Sequence, residues 1–308
     1  MKIIPLNQIE ALPQRPVISV GMFDGVHKGH QRLIGMVVES AKRMRTLAAV
    51  ITFSNHPQLV LKTPDAHSVK LLQTNEERMR RLEMCGLDLV ITIDFSEDFS
   101  RLSATAFLDL LIAKLHPALM IMGYNNYFGR NTAGELDKIL SKGCFGDMKI
   151  HRTDTCVYSN GTEVSSTQIR RALARGDVSS ANAMLGYRYS LSGIVVHGLG
   201  KGHQLNFPTA NLKLNPLKLI PASGVYAVIV RLSSLVLKGV MFVGERATFG
   251  LSGLTIEVHI LDFDNDIYLQ EIEVAMVAFI RPQRRFEDSE RLINQIKLDC
   301  DEVKRLSY

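Results

Sequence analysis

The sequence predicts a doubly wound α/β module followed by a small all-β module, a barrel or a sandwich, closed by a helix. Three observations carry this. Short apolar runs alternate with helical patterns through the first half. After about Tyr187 the pattern changes to short alternating segments separated by Gly, Pro, Asn and Asp turns. A final amphipathic pattern is written in Glu290, Leu292, Ile293, Ile296, Val303 and Leu306. A chain of 308 residues suits two domains, and the change in pattern sets their expected extents at 1–185 and 186–308.

In the first half, Val17–Val20, Leu47–Phe53, Leu87–Ile93 and Ala118–Met122 are rich in Val, Ile, Leu and Met without strict alternation. Strands buried on both faces of a parallel sheet have that composition. Between the first two, Leu33, Ile34, Val37, Val38 and Ala41 recur at helical spacing. Thr74 and Glu77 form a capping box ahead of a helix over Arg78–Met84. In the second half, strands are expected at Leu191–Val196, Gly224–Arg231, Gly239–Val243, Thr255–Leu261 and Glu271–Ile280.

Composition narrows the function classes. Basic residues exceed acidic ones 36 to 31, a net +5 too mild for a nucleic-acid binder without a basic stripe. The densest basic cluster, Arg281, Arg284 and Arg285, reads as a solvated turn. The most apolar stretch, Phe107–Met122, is interrupted by Asp109, Lys114, His116 and Pro117, so no membrane span is expected. No signal-peptide core is seen at Met1–Leu6. Cys85, Cys144, Cys156 and Cys300 share no metal-type spacing and read as reduced thiols. A cytoplasmic protein without nucleic-acid or membrane partners is expected, its oligomeric state left open.

Two segments carry the first chemistry. Gly21-Met22-Phe23-Asp24-Gly25-Val26-His27-Lys28-Gly29-His30 joins a strand to a helix, and Ser165-Ser166-Thr167-Gln168-Ile169-Arg170 supplies hydroxyls and a guanidinium. Backbone N–H groups in such a turn, at Gly21 and Phe23, approach an anion near a positive helix end. His27 and His30 share one helical face. Together these groups suit the charged phosphorus centre of a nucleotidyl transfer from ATP, with Mg²⁺ on the leaving pyrophosphate. The alternative is helix capping by the histidines, and by Ser165 with Gln168. Asp24 either orients the turn or touches substrate.

The second constellation lies in the β module. Gly198-Leu199-Gly200-Lys201-Gly202 brings backbone, and the Lys201 charge, close to phosphates, or is a plain hairpin loop. Thr209 and Asn211, in Phe207-Pro208-Thr209-Ala210-Asn211, offer oxygen ligands to Mg²⁺. Glu257 is a base for phosphoryl transfer to an alcohol, or a solvent-facing residue of an alternating strand.

The first pair of motifs, with Phe53-Ser54-Asn55-His56-Pro57 and Gly123-Tyr124-Asn125-Asn126-Tyr127-Phe128-Gly129, resembles the HxGH nucleotidyltransferases. More narrowly, the whole chain resembles prokaryotic bifunctional riboflavin kinase/FAD synthetases. The resemblance implies that His27, His30, Asn125, Ser166, Thr167 and Arg170 serve ATP, and that Phe53, His56, Tyr127 and Phe128 line the flavin side. It implies that Thr209 and Asn211 hold Mg²⁺ and phosphates while Glu257 activates the ribityl hydroxyl. Riboflavin, FMN, FAD and ATP are then the ligands. Departures occur at Ser54-Asn55, where the family has Glu-Pro, and at Asn206, Ala247 and Leu269, where it has Gly, Pro and Gly. The last three keep open a monofunctional FAD synthetase whose second module binds flavin without phosphorylating it; a flavin-sensing or nucleic-acid-binding regulator is a second alternative, against which the intact His27, His30, Arg170 and Glu257 count.

Overall fold

Parallel pairing of the apolar runs organises the first half of the chain. The computed structural model describes residues 1–61, 70–124, 126–129, 132–154, 156–198, 202, 205, 207–245 and 254–307. They form two units, Met1–Val164 and Ser165–Tyr308, each described by itself.

The strands of the first unit are β1 (Lys2–Pro5), β2 (Val17–Val20), β3 (Ala48–Phe53), β4 (Leu89–Ile93), β5 (Leu119–Met122), β6 (Cys144–Phe145), β7 (Met148–Arg152), β8 (Tyr158–Ser159) and β9 (Thr162–Glu163). The sheet order is β1-β4-β3-β2-β5-β7-β6. All its pairs are parallel except β6 with β7. Strand succession therefore reverses between β2 and β5, the kind of switch point where open α/β sheets bind ligands. The helices are α1 (Lys28–Met44), α2 (Pro57–Val60), α3 (Asn75–Glu83), α4 (Glu97–Ser100), α5 (Ala104–Leu115) and α6 (Thr132–Lys142).

Side-chain alternation along the strands builds two cores. Val17, Ala48, Val50 and Val90 pack with Leu33, Ile34 and Val37 of α1 and Leu82 of α3. Their neighbours Ile18, Ala49, Ile51 and Ile91 pack with Phe107, Leu108 and Leu111 of α5 and Leu136 of α6. Each Val, Leu or Ile among them contributes about 1.5–3 kcal/mol when fully buried, which explains why the strands read as near-continuous apolar runs. The capping box at Thr74 and Glu77 forms in both directions.

The second unit opens with α7 (Ser166–Ala174) and α8 (Val178–Leu185). Strands β10 (Ser190–Val196), β11 (Ala210–Leu214), β12 (Gly224–Leu232), β13 (Leu235–Glu245), β14 (Leu254–Ile260) and β15 (Glu271–Arg281) follow, and α9 (Ser289–Arg305) ends it. The strands close as β10-β11-β14-β13-β12-β15, so the barrel form of the all-β module is the one adopted. In β12, Val225 and Ala227 lie in a cluster with Cys300 and Val303 of α9. That second apolar face makes Gly224–Val230 buried throughout. The guanidinium of Arg281 donates to both oxygens of the buried Asp299 at 2.7–3.1 Å. This tie fastens α9 to the end of β15. Asn182 of α8 accepts from Tyr189 N at 2.7 Å and donates to Met276 O at 3.0 Å, tying α8 to β15.

Leu269 occupies a left-handed turn, φ +63°, with its side chain 79% exposed. A leucine gains little there from packing and carries the steric cost of the conformation, about 1–2 kcal/mol. Leu269→Gly should therefore raise stability by roughly 0.5–1 kcal/mol after the unfolded-state entropy of glycine is subtracted. Denaturant unfolding of both proteins measures it, and an unchanged or lowered midpoint would contradict this account. Asn206 and Ala247 lie outside the described residues.

Candidate active sites

The turn after β2 is shaped by positive φ values that side chains rarely adopt: Phe23 at +51°, Gly25 at +86° and Val26 at +32°. For a β-branched residue such as Val26 this is strain that surrounding packing must hold. Phe23 and Val26 are both about fully buried, at 1% exposure, and supply that packing. Asp24 accepts from Leu72 N and Gln73 N, each at 3.2 Å. Its carboxylate thus ties the turn to the segment that leads into α3.

His27 is the N-cap of α1, its Nδ1 accepting from His30 N at 3.3 Å. Capping is therefore real at His27, and it coexists with ring placement that a cap does not require. The two imidazoles stack at 3.6 Å with an interplanar angle of 17°, and Phe23 meets His30 edge-on at 5.3 Å. Gly29 permits the stack, since a Cβ there would stand 3.1 Å from His27 Cε1. Gly21 faces the Phe23 ring, which a Cβ would meet at 3.3 Å. His30 Nδ1 is enclosed and has no hydrogen-bond partner among the described residues. Burial, and secondarily the adjacent His27, push the His30 imidazole well below its ordinary value of 6.5. At neutral pH it is an uncharged ring with one N–H to donate.

Other residues assemble the same end of the sheet. Arg78, only 6% exposed, donates to Met22 O at 2.9 Å and to Phe53 O at 2.5 Å. Asn126 donates to Val20 O. Its neighbour Asn125 lies outside the described residues. Arg152, at the end of β7, donates to Tyr124 O and to the Tyr127 hydroxyl, with its guanidinium 4.9 Å from the Tyr127 ring centre. The motif Gly123–Gly129 is thereby bound to β2 and β7, and Gly129 (φ +85°) brings it against α5, where a Cβ would lie 2.5 Å from Ala104 N.

The four residues expected on the flavin side are not alike. Phe53 and Phe128 end a run of edge-on rings through Phe95, Phe99 and Phe107, with spacings of 5.2–5.8 Å. Both pack partly against the core. His56 caps α2, accepting from Gln58 N at 3.3 Å. Tyr127 is 51% exposed and presents its ring outward on Arg152. Ser165 caps α7 by accepting from Gln168 N at 3.3 Å, which places Ser166 and Thr167 in the first helical turn and Arg170 one turn on.

In the barrel, β14 alternates: Ile256, Val258 and Ile260 are buried, while Thr255, Glu257 and His259 share the outer face. Glu257 is nevertheless half-buried, because the segment before β11 covers it. Glu257 Oε2 accepts from Thr209 Oγ1 at 3.4 Å, and Glu257 lies directly across from Asn211 in the β11–β14 ladder. His259 Nδ1 is 2.8 Å from Pro208 O, fastening this segment to the strand that carries Glu257. The glycines fit into the same corner. A Cβ at Gly198 would overlap the Asn211 side chain, and one at Gly202 would stand 2.9 Å from Thr209 Oγ1. Gly198, Gly202, Thr209, Asn211 and Glu257 thus converge. Gly200 and Lys201 lie outside the described residues. No cluster of three His, Cys, Asp or Glu suited to a metal occurs among the described residues.

The sequence signals for Arg78, Asn126 and Arg152 were weak. Each reads as an ordinary polar residue, and only the fold brings it to the strand ends.

An HxGH turn at the switch point of a parallel sheet, with a carboxylate–hydroxyl corner on a closed barrel, defines an ATP-using group transferase with two centres. Comparisons with known proteins specify it. The sequence model of the FAD synthetase family matches residues 9–168, and that of riboflavin kinase matches 185–307. A bifunctional riboflavin kinase/FMN adenylyltransferase of Listeria monocytogenes is 35% identical over 97% of this chain and 95% of its own. The one from Bacillus subtilis is 33% identical over 98% and 95%. A crystal structure described as a macrolide-efflux protein from Streptococcus pneumoniae superposes with a TM-score of 0.87, at 30% identity and 99% coverage of both chains. No helix among the described residues is long and apolar enough to cross a membrane. The chain belongs to the bifunctional riboflavin kinase/FMN adenylyltransferase family. It has the riboflavin kinase and FAD synthetase activities, with ATP as cosubstrate and flavin nucleotides as products.

Proposed function

We propose that the two activities divide as 1–185 for FMN adenylylation and 186–308 for riboflavin phosphorylation, with separate residue sets. The observation that carries this is the separate convergence of the motif residues: a stacked His27/His30 pair at a strand end, and Thr209, Asn211 and Glu257 on the barrel.

In the adenylylation, an FMN phosphate oxygen attacks the α-phosphorus of ATP and pyrophosphate leaves. His27 and His30 face the α-phosphate, where a neutral imidazole N–H stabilises the charge gathering on nonbridging oxygens. The backbone N–H of Phe23 takes a further phosphate oxygen; Gly21, whose N–H is given to Ile51 O at 3.0 Å, borders the phosphates through its lack of a side chain. Asn125, Ser166, Thr167 and Arg170 complete the set of groups for ATP, Arg170 through a planar fork suited to phosphate. Phe53, His56, Tyr127 and Phe128 hold the flavin. Tyr127 is the best placed for stacking because its ring is exposed.

In the phosphorylation, the ribityl 5′-hydroxyl of riboflavin attacks the γ-phosphorus and ADP leaves. Glu257 accepts the hydroxyl proton, and its bond from Thr209 holds the carboxylate in place. Gly198, Gly200, Lys201 and Gly202 cradle the phosphates. The oxygen set offered by Thr209 and Asn211, in a corner that a Cβ at Gly198 or Gly202 would fill, fits a hard cation such as Mg²⁺. When bound, Mg²⁺ neutralises charge on the phosphate oxygens. The four free thiols fit a cytoplasmic setting.

Incubation with riboflavin, ATP and Mg²⁺, followed by chromatography, tests both steps together. FMN is expected first and FAD after it. FAD from supplied FMN, with none from riboflavin, would instead support a flavin-binding second module without kinase activity. Absence of both products would support a sensor.

A further inference from the structure

The ladder between β2 and β3 ends in a substitution of donors. Gly21 N donates to Ile51 O at 3.0 Å. In a parallel pair the acceptors that face one neighbour recur every second residue, so the next acceptor toward β2 is Phe53 O. By register its donor would be Phe23 N–H. Phe23 has instead turned out of the strand, with φ +51°. Nη2 of Arg78 occupies the vacated place at 2.5 Å from Phe53 O, and Nη1 holds Met22 O at 2.9 Å. Thr52 Oγ1 adds a second donor to Met22 O at 3.3 Å.

Peptide planarity gives this a consequence. In a trans unit the C=O and N–H point in opposite directions, so drawing Met22 O onto the guanidinium turns Phe23 N–H away from it. No partner takes that N–H among the described residues. Arg78 is itself fixed, since Nη2 also donates to Asn75 Oδ1 at 2.6 Å and the side chain is 6% exposed. Burial pushes the guanidinium below its ordinary value and the Asp24 carboxylate pulls it back up. Those bonds engage both terminal nitrogens with backbone carbonyls and Asn75, while Nε is buried with no partner among the described residues.

We propose that Arg78 is a positioning residue for adenylyl transfer: it replaces Phe23 as the donor to β3 and so leaves Phe23 N–H aimed at an ATP phosphate. The proposal rests on the reading of the Gly21–His30 turn as the ATP site. It separates Arg78 from residues that touch substrate, because no contact with ATP is asked of it.

The test uses the full chain with Arg78→Lys and Arg78→Gln. A single ammonium cannot serve two carbonyls as a guanidinium fork does, so Lys should fail as Gln does. In FAD formation, kcat/KM for ATP should fall about 10- to 100-fold, the range for one lost hydrogen bond to a charged group, with KM for ATP raised. Riboflavin phosphorylation at the other centre should stay within about two-fold. Circular dichroism and thermal melting report whether the variants are folded. Retention of kcat/KM for ATP by Arg78→Lys would overturn the proposal. So would a loss confined to kcat that matches the unfolded fraction, or failure of both variants to fold, since each assigns Arg78 to stability alone. His30→Ala, assayed in parallel, separates the two readings. If it leaves FAD formation intact, the site itself is misassigned; if it abolishes FAD formation while the Arg78 variants stay active, only the role of Arg78 fails.

Discussion

His30→Ala is expected to cut FAD formation from FMN and ATP by about 10²–10³-fold, the usual loss for one preorganised donor at a developing negative charge. Riboflavin phosphorylation by the same protein should change by less than about two-fold. The asymmetry follows from where the imidazole sits. It is stacked on His27 at 3.6 Å and braced by Phe23 at 5.3 Å, within the turn that follows β2. Burial keeps the ring neutral, so it acts as an oriented hydrogen-bond donor rather than as a cation. Removing the ring also removes packing, so thermal melting must accompany the kinetics. His30→Gln, which retains an N–H donor, should lose less than Ala if donation is the role. Parallel loss of both activities would contradict separate centres. Full activity in His30→Ala would return the pair to helix capping alone.

Glu257→Gln is expected to do the reverse. FMN formation should fall by about 10²–10⁴-fold, the range for removing a positioned general base, while FAD formation from supplied FMN persists. Glutamine retains an oxygen to accept from Thr209 Oγ1, so the 3.4 Å contact that organises the corner is kept and only basicity is removed. A stopped kinase with an unaltered melting curve would therefore identify proton acceptance as the function of the carboxylate. Unchanged FMN formation would return Glu257 to the outer, solvent-facing half of an alternating strand.

Much of the fold was legible because burial imposes a period on the sequence. Val17–Val20 and Leu89–Ile93 lie in a sheet covered on both faces, so they read as near-continuous apolar runs broken only by Ser19 and Thr92. β14 packs one face into the barrel and reads as alternation. The strands missed were β1, β6 to β9 and β11: β6, β8 and β9 are two-residue strands, and β7 alternates over only five residues. β1 is a four-residue edge strand, half of it exposed. β11 has one fully buried residue, Leu212. Alternation alone did not separate barrel from sandwich, because both satisfy it; the family resemblance implied the barrel, and the closing β10–β15 pairing forms it.

The motifs were legible for a related reason. A Cβ at Gly29 would press on the His27 ring at 3.1 Å, and Gly198 and Gly202 leave no room for one beside Asn211 and Thr209. Such close approaches write themselves into the sequence as glycine at fixed spacing. Arg78 left no such mark, because any helix surface carries arginines.

The sequence alone determined the residue types for two ATP chemistries and the strand-and-helix periodicities that carry them. Local sterics and burial enforce both, and neighbours along the chain record them. Tertiary structure decided which polar groups meet. Phe53 and Met22 are 31 residues apart, yet one guanidinium holds both carbonyls. Thr209 reaches across 48 residues to Glu257. Those bonds depend on strand order and register, which hydrophobic pattern constrains only one strand at a time.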